Sequence, residues 1–121
     1  MPRILYVEDN RDNRVLVRRV LEAAGFSVSE AIDAPSALAE AQTRAPDLIL
    51  MDINLPGVDG YTLTAQLKTM PGLQQVRVIA LTANVMKGDR EKTLAAGCDG
   101  YIQKPIDVDA LPEQISRYLQ P

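Results

Sequence analysis

The stretch LILM, Leu48 to Met51, is apolar at every position and runs straight into Asp52. A strand with one wet face alternates apolar and polar side chains, whereas a strand covered on both faces reads as an unbroken apolar run. LILM therefore predicts a central strand held between two layers, and Ile4–Val7 predicts another. Between such runs the apolar spacing becomes helical. Leu16, Val20, Leu21 and Ala24 fall on one helical face, with Asn10 or Asp12 suited to cap its start and Gly25 to end it. Phe26–Ile32 alternates like a more exposed strand. Asp33, with Pro35 in a first turn, opens a helix carrying Leu38 and Ala41. A third helix carries Tyr61, Leu63 and Leu67 and ends near Pro71-Gly72. Val76–Leu81 reads as a fourth strand, followed by a helix from Val85 to Ala96 that stops at Gly97. Tyr101-Ile102 form a short fifth strand, and a last helix carries Leu111, Ile115 and Leu119. Pro112 would fall inside that helix if Asp107 capped it, so the helix starts nearer Asp109 or has an irregular first turn.

Strands alternating with helices across short loops predict an α/β fold: a mainly parallel sheet with helices on both faces. A length of 121 residues leaves room for a single domain, 1–121, and none is expected for an output domain. The net charge is −3 and the 13 Lys and Arg are scattered, which speaks against direct DNA binding or a membrane surface as the main partner. There is no histidine and one cysteine, Cys98, so a Cys/His zinc site and a Ser-His-Asp or Cys-His mechanism lack their residues. Cys98 reads as a small buried residue near a turn. No apolar run approaches the roughly 18 residues of a membrane span. The N-terminus, MPRILYVEDN, turns acidic too early for a secretory signal, and a cytoplasmic setting is the expectation.

In a parallel sheet the carboxyl ends of the strands share one edge, where ligands bind. Here those ends carry Glu8-Asp9, Asp52, Thr82 and Lys104-Pro105. Two unit charges 4 Å apart repel by about 4 kcal/mol at an effective dielectric near 20. Three carboxylates on one rim therefore call for a cation, and an all-oxygen donor set suits Mg²⁺, with Mn²⁺ able to take the same place. A carboxylate beside such a cation and the Lys104 ammonium can attack phosphorus, because both positive groups absorb charge on the transferring oxygens. The apolar strand is then a rigid mount for Asp52, and the Pro56-Gly57 turn keeps its tip open.

The segments YVEDN, LILMDINLPGVDG, VIALTAN and GYIQKPI, in this order and spacing, resemble the receiver domains of two-component response regulators along nearly the whole chain. TANVMKGD and GCDGYI are similar to stand-alone single-domain regulators of the DivK type. The resemblance implies a flavodoxin-like (βα)5 three-layer sandwich with strand order 2-1-3-4-5. It implies that Asp52 accepts a phosphoryl group, forming 4-aspartylphosphate, from the phosphohistidine of a histidine kinase or histidine phosphotransfer protein. Asp9 would bind Mg²⁺ directly, Glu8 through water, and the Asn54 backbone carbonyl would be a further ligand. Lys104 would pair with a phosphoryl oxygen, with a cis Lys104-Pro105 peptide. Thr82 would move to donate to the phosphoryl group and Tyr101 would swing inward as the switch aromatic. The surface of the fourth helix, fifth strand and fifth helix would then bind a downstream protein effector differently in the two states. Asn54 and Asn84 would tune hydrolysis. The acid pair is Glu-Asp where other members have Asp-Asp, one methylene more of reach at the same charge.

Simpler roles stand beside these. Lys104 could be a structural ion-pair partner, Thr82 a β-branched strand residue, and Tyr101 plain core. Met86, Leu94 and Ala95 read as packing residues. A phosphorylation-independent binding module of the same fold is the main alternative function. A phosphohydrolase with an Asp nucleophile would want a second acid two positions on, where Asn54 stands. A flavin carrier would need a phosphate-cradling first turn, and EDNRDN offers acids instead. The expectation is a switch that adds and removes its own phosphoryl group with no separate substrate, and so not an enzyme in the ordinary sense.

Overall fold

The computed structural model describes residues 1–55, 57–83 and 87–120. Pro56, Val85, Met86 and Asn84, with the roles expected of them, lie outside the described residues. Strands and helices alternate as β1 (Arg3–Val7), α1 (Arg11–Ala23), β2 (Ser27–Ala31), α2 (Ala34–Thr43), β3 (Leu48–Asp52), α3 (Gly60–Lys68), β4 (Arg77–Thr82), α4 (Lys87–Ala95), β5 (Gly100–Gln103) and α5 (Leu111–Leu119). All pairings are parallel, and the sheet order is β2-β1-β3-β4-β5. This is the flavodoxin-like three-layer sandwich.

Side chains on a strand alternate between faces, and that alternation builds two cores from each central strand. On one face Leu5, Val7, Ile49, Met51, Val78 and Ala80 pack with residues of α2 and α3. On the other Ile4, Tyr6, Leu48, Leu50, Ile79 and Leu81 pack with residues of α1 and α5. Every residue of β3 is buried, which is why LILM carries no polar alternation. Removing any of these leucines to alanine would cost about 2–5 kcal/mol in lost transfer energy and cavity.

Helix ends follow their local chemistry. Asn10 caps α1, its side-chain oxygen accepting from Asn13 N–H at 3.0 Å, and Gly25 takes the left-handed conformation after the helix (φ +97°). Asp33 caps α2 in a reciprocal box with Ser36, and Pro35 sits in the first turn. Asp107 does not cap α5. Its carboxylate accepts from the Asp109 and Ala110 N–H groups in the turn ahead of the helix, which begins at Leu111. Pro112 thus lies in the first turn, where no intrahelical donor is missed.

Two packing expectations are corrected. Leu16 is half exposed, at 50%, while Val17 and Leu21 seat α1 on the sheet. Valines and leucines at 15–17, 20 and 21 spread around much of the helix, so spacing alone does not select the seated stripe. In α4, Leu94 (57% exposed) and Ala95 face outward, and Thr93 is buried instead. Thr93 tolerates burial because its hydroxyl lies 3.3 Å from the Tyr61 hydroxyl. Cys98 is buried, as expected.

Candidate functional site

The backbone ladder carries the site. It runs one residue past three strands: Glu8 N–H donates to Ala31 O, Ile53 N–H to Leu81 O, and Lys104 N–H to Thr82 O. Glu8, Asp52 and Lys104 are thereby fixed to the sheet and not left on mobile loops. Glu8 and Asp52 are buried, at 1% and 3% exposure, while Asp9 is exposed. One carboxylate oxygen from each of these acids lies within 4.8 Å of the other two.

Lys104 reaches into this nest. Its Nζ donates to Asp52 Oδ1 at 2.8 Å, and the same oxygen accepts the Asn54 N–H at 3.1 Å. The Lys104-Pro105 peptide is cis. Thr82 ends β4 and is buried; its neighbour Leu81 pairs with Asp52, so the hydroxyl-bearing residue stands one step beyond the acid on the next strand. Tyr101 of β5 pairs with Ala80 of β4 and is half-buried against the α2–α3 core. It also lines a cavity of about 350 Å³ with Ile102, Gln114, Arg117 and Tyr118.

The charges are settled unequally. Burial pushes Glu8 up to about 7, and the facing Asp52 carboxylate adds to that against the pull of Asn13 and Lys104. Burial would raise Asp52 too, but Glu8, Lys104 and the Asn54 N–H outweigh it and hold Asp52 below the usual carboxylate range. Asp52 is therefore the acid of the pair held in its ionised form near neutral pH.

Glu8 Oε1 accepts from Asn13 Nδ2 at 2.6 Å, whereas Oε2 is buried with no hydrogen-bond partner among the described residues. A buried acceptor of that kind is rare in a settled protein interior. With three hard oxygen donors around it, the nest fits a divalent cation of the Mg²⁺ type.

A family model for the response regulator receiver domain matches residues 4–116. The chain belongs to the response regulator receiver domain family. This receiver domain is 44% identical over 120 residues to the polar-differentiation response regulator DivK of Brucella anthropi, covering 98% of both chains. It superposes on the chemotaxis protein CheY4 of Vibrio cholerae with a TM-score of 0.93 at 27% identity, covering 97% of this chain and 98% of the other. It is also similar to the receiver domain of a Pseudomonas aeruginosa sensor histidine kinase, at TM-score 0.88 and 36% identity over 98% and 97% of the two chains. That structure has a magnesium ion coordinated in its active-site cleft.

The receiver domain brings Glu8, Asp9, Asp52, Asn54 and Lys104 to one rim, with Thr82 on the adjoining strand end. Asn13, Arg14 and Gly60 escaped the sequence reading. Gly60 opens α3 where a Cβ would stand 2.6 Å from Asp52 O and 2.7 Å from Ile53 Cα. Its signals were its place at the end of the LILMDINLPGVDG segment and directly after Asp59, which caps α3 by accepting from Thr62 N–H.

Proposed function

We propose that this receiver domain is a phosphorylation-switched signalling module of a two-component phosphorelay. The observation that carries the reading is the Lys104–Asp52 pair at 2.8 Å inside a nest of two further carboxylates. Asp52, ionised and held on a buried strand, attacks the phosphorus of a phosphohistidine on a histidine kinase or phosphotransfer protein. The P–N bond breaks as the Asp52 O–P bond forms, and the departing imidazole takes up a proton. Mg²⁺, held by Glu8, Asp9, Asp52 and the Asn54 carbonyl, would supply charge neutralisation on the transferring oxygens. Lys104 then exchanges its carboxylate oxygen for a phosphoryl oxygen. Water later attacks phosphorus, releasing phosphate and restoring Asp52, so the module has no separate substrate. Asn54 and Asn84 tune that step.

Thr82 is the hydroxyl that follows the phosphoryl group, and Tyr101 refills the space it leaves. The α4–β5–α5 surface then presents a changed face to a downstream protein effector. An exposed Leu94 on α4 and the cavity beside Tyr101 suit that face for protein contact. Cytoplasmic residence fits a phosphohistidine donor, and no helix among the described residues is long and apolar enough to cross a membrane.

Incubation with Mg²⁺ and acetyl phosphate tests the reading by intact mass. The wild type gains one phosphoryl group, and chelation or Asp52→Asn abolishes the gain. No uptake under any condition would favour the phosphorylation-independent binding module, and uptake that persists when Mg²⁺ is chelated would remove the metal from the reading.

A further inference from the structure

Glu8 carries its buried carboxylate on a two-methylene arm, and such an arm needs steering. The first turn of α1 provides it. Asn13 Nδ2 donates to Glu8 Oε1 at 2.6 Å, fixing one oxygen, while the other, Oε2, is buried with no hydrogen-bond partner among the described residues. The next residue acts on the backbone. Arg14 Nη1 donates to the carbonyls of both Glu8 and Asp9, each at 2.9 Å. One guanidinium nitrogen thus ties down both peptide units that carry the acid pair. Arg14 is steered in turn by Glu30 on β2, 3.8 Å from its Nε. A buried carboxylate oxygen without a partner persists only where a ligand or a stiff surround compensates it, and here both halves of the surround come from consecutive residues.

We infer that Asn13 and Arg14 are positioning residues that pre-set Glu8 and Asp9 for the cation, coupling the first turn of α1 to the metal site. This inference rests on the acid nest being the Mg²⁺-dependent acceptor site proposed above. Neither residue touches the phosphoryl group. Because linkage is reciprocal, the cation must in turn steady the start of α1.

The test is a Mg²⁺ titration followed by backbone amide NMR shifts, with thermal unfolding measured alongside without metal. Asn13→Ala and Arg14→Ala weaken Mg²⁺ binding about tenfold each, the scale on which partners of metal ligands act. Asn13→Gln and Arg14→Lys, which keep a donor, recover part of the loss and carry the test if an alanine variant fails to fold. In the wild type, Mg²⁺ slows hydrogen exchange at the amides of residues 11–17. Variants that melt earlier yet bind Mg²⁺ within about twofold of wild type would assign a purely structural role and overturn the inference. A wild type that binds no Mg²⁺ would instead remove the site reading itself.

Discussion

Gly60→Ala puts the mounting of the phosphoacceptor under direct strain. The new Cβ would stand 2.6 Å from the Asp52 carbonyl oxygen and 2.7 Å from Ile53 Cα. Non-bonded contacts settle at about 3.5–4.0 Å, so α3 and the end of β3 must part by about 1 Å. Both clashing atoms are backbone, and no side chain can rotate away to absorb the shift. The move also stretches the Gly60 N–H to Ile53 O bond, now 3.0 Å, which seats α3 on the loop after Asp52. Overpacking of this kind costs about 1–3 kcal/mol, and alanine's better helix preference returns up to about 1 kcal/mol. A net loss near 1–2 kcal/mol lowers the melting temperature by about 4–8 °C for a chain of this size. The displacement acts on Asp52 as well, and a misplacement of about 1 Å can slow a reaction up to roughly 10²-fold. Circular dichroism melting and the rate of phosphoryl uptake from acetyl phosphate measure the two effects. A variant with unchanged melting and unchanged uptake would refute the claim that this close approach positions the acid.

Three further outcomes are expected. Asp99 Oδ2 accepts from both Lys68 Nζ at 2.9 Å and Val78 N–H at 2.8 Å, so Asp99→Ala strands a backbone donor and costs about 1–3 kcal/mol in urea unfolding; a neutral result would show that the clamp between α3, β4 and β5 is idle. The Ser36 backbone N–H and hydroxyl hold the Asp33 carboxyl below its ordinary value. Its contribution to stability is therefore present above the unfolded value of 3.8 and fades as pH falls through the folded one, so the gap between wild type and Asp33→Ala closes in acid. A gap that stayed constant with pH would assign the loss to something other than the charged cap. Thr82→Ala keeps phosphoryl uptake but blunts the shift in amide resonances across β5 and α5 on phosphorylation; an undiminished shift would take the switch role from Thr82.

The alternation of strands and helices was legible because it follows from signals of short range, whereas the strand order came only with the family resemblance. LILM is apolar throughout because β3 is buried on both sides, and Asp52 stands out because an acid ends so apolar a run. Capping by Asn10 and Asp33 could be read from single residues beside helical spacing. What the sequence hid depends on the meeting of distant surfaces. Leu16 and Val17 are equally apolar, and only docking of α1 on the sheet decides which is buried. Thr93 is a buried residue of α4, and Tyr61, over thirty positions away, meets its hydroxyl. Arg14 looks like one of several scattered arginines until its guanidinium is seen on the carbonyls of Glu8 and Asp9.

Borohydride trapping of the phosphorylated protein tests the central claim most directly, since hydride reduces an acyl phosphate to an alcohol and leaves free carboxylates alone. After Mg²⁺ and a phosphodonor, peptide mass mapping should find homoserine in place of Asp52 and at no other acid, with none formed when Mg²⁺ is chelated. Homoserine at position 9, or a stable phosphate ester on a serine or threonine with Asp52 intact, would contradict the account.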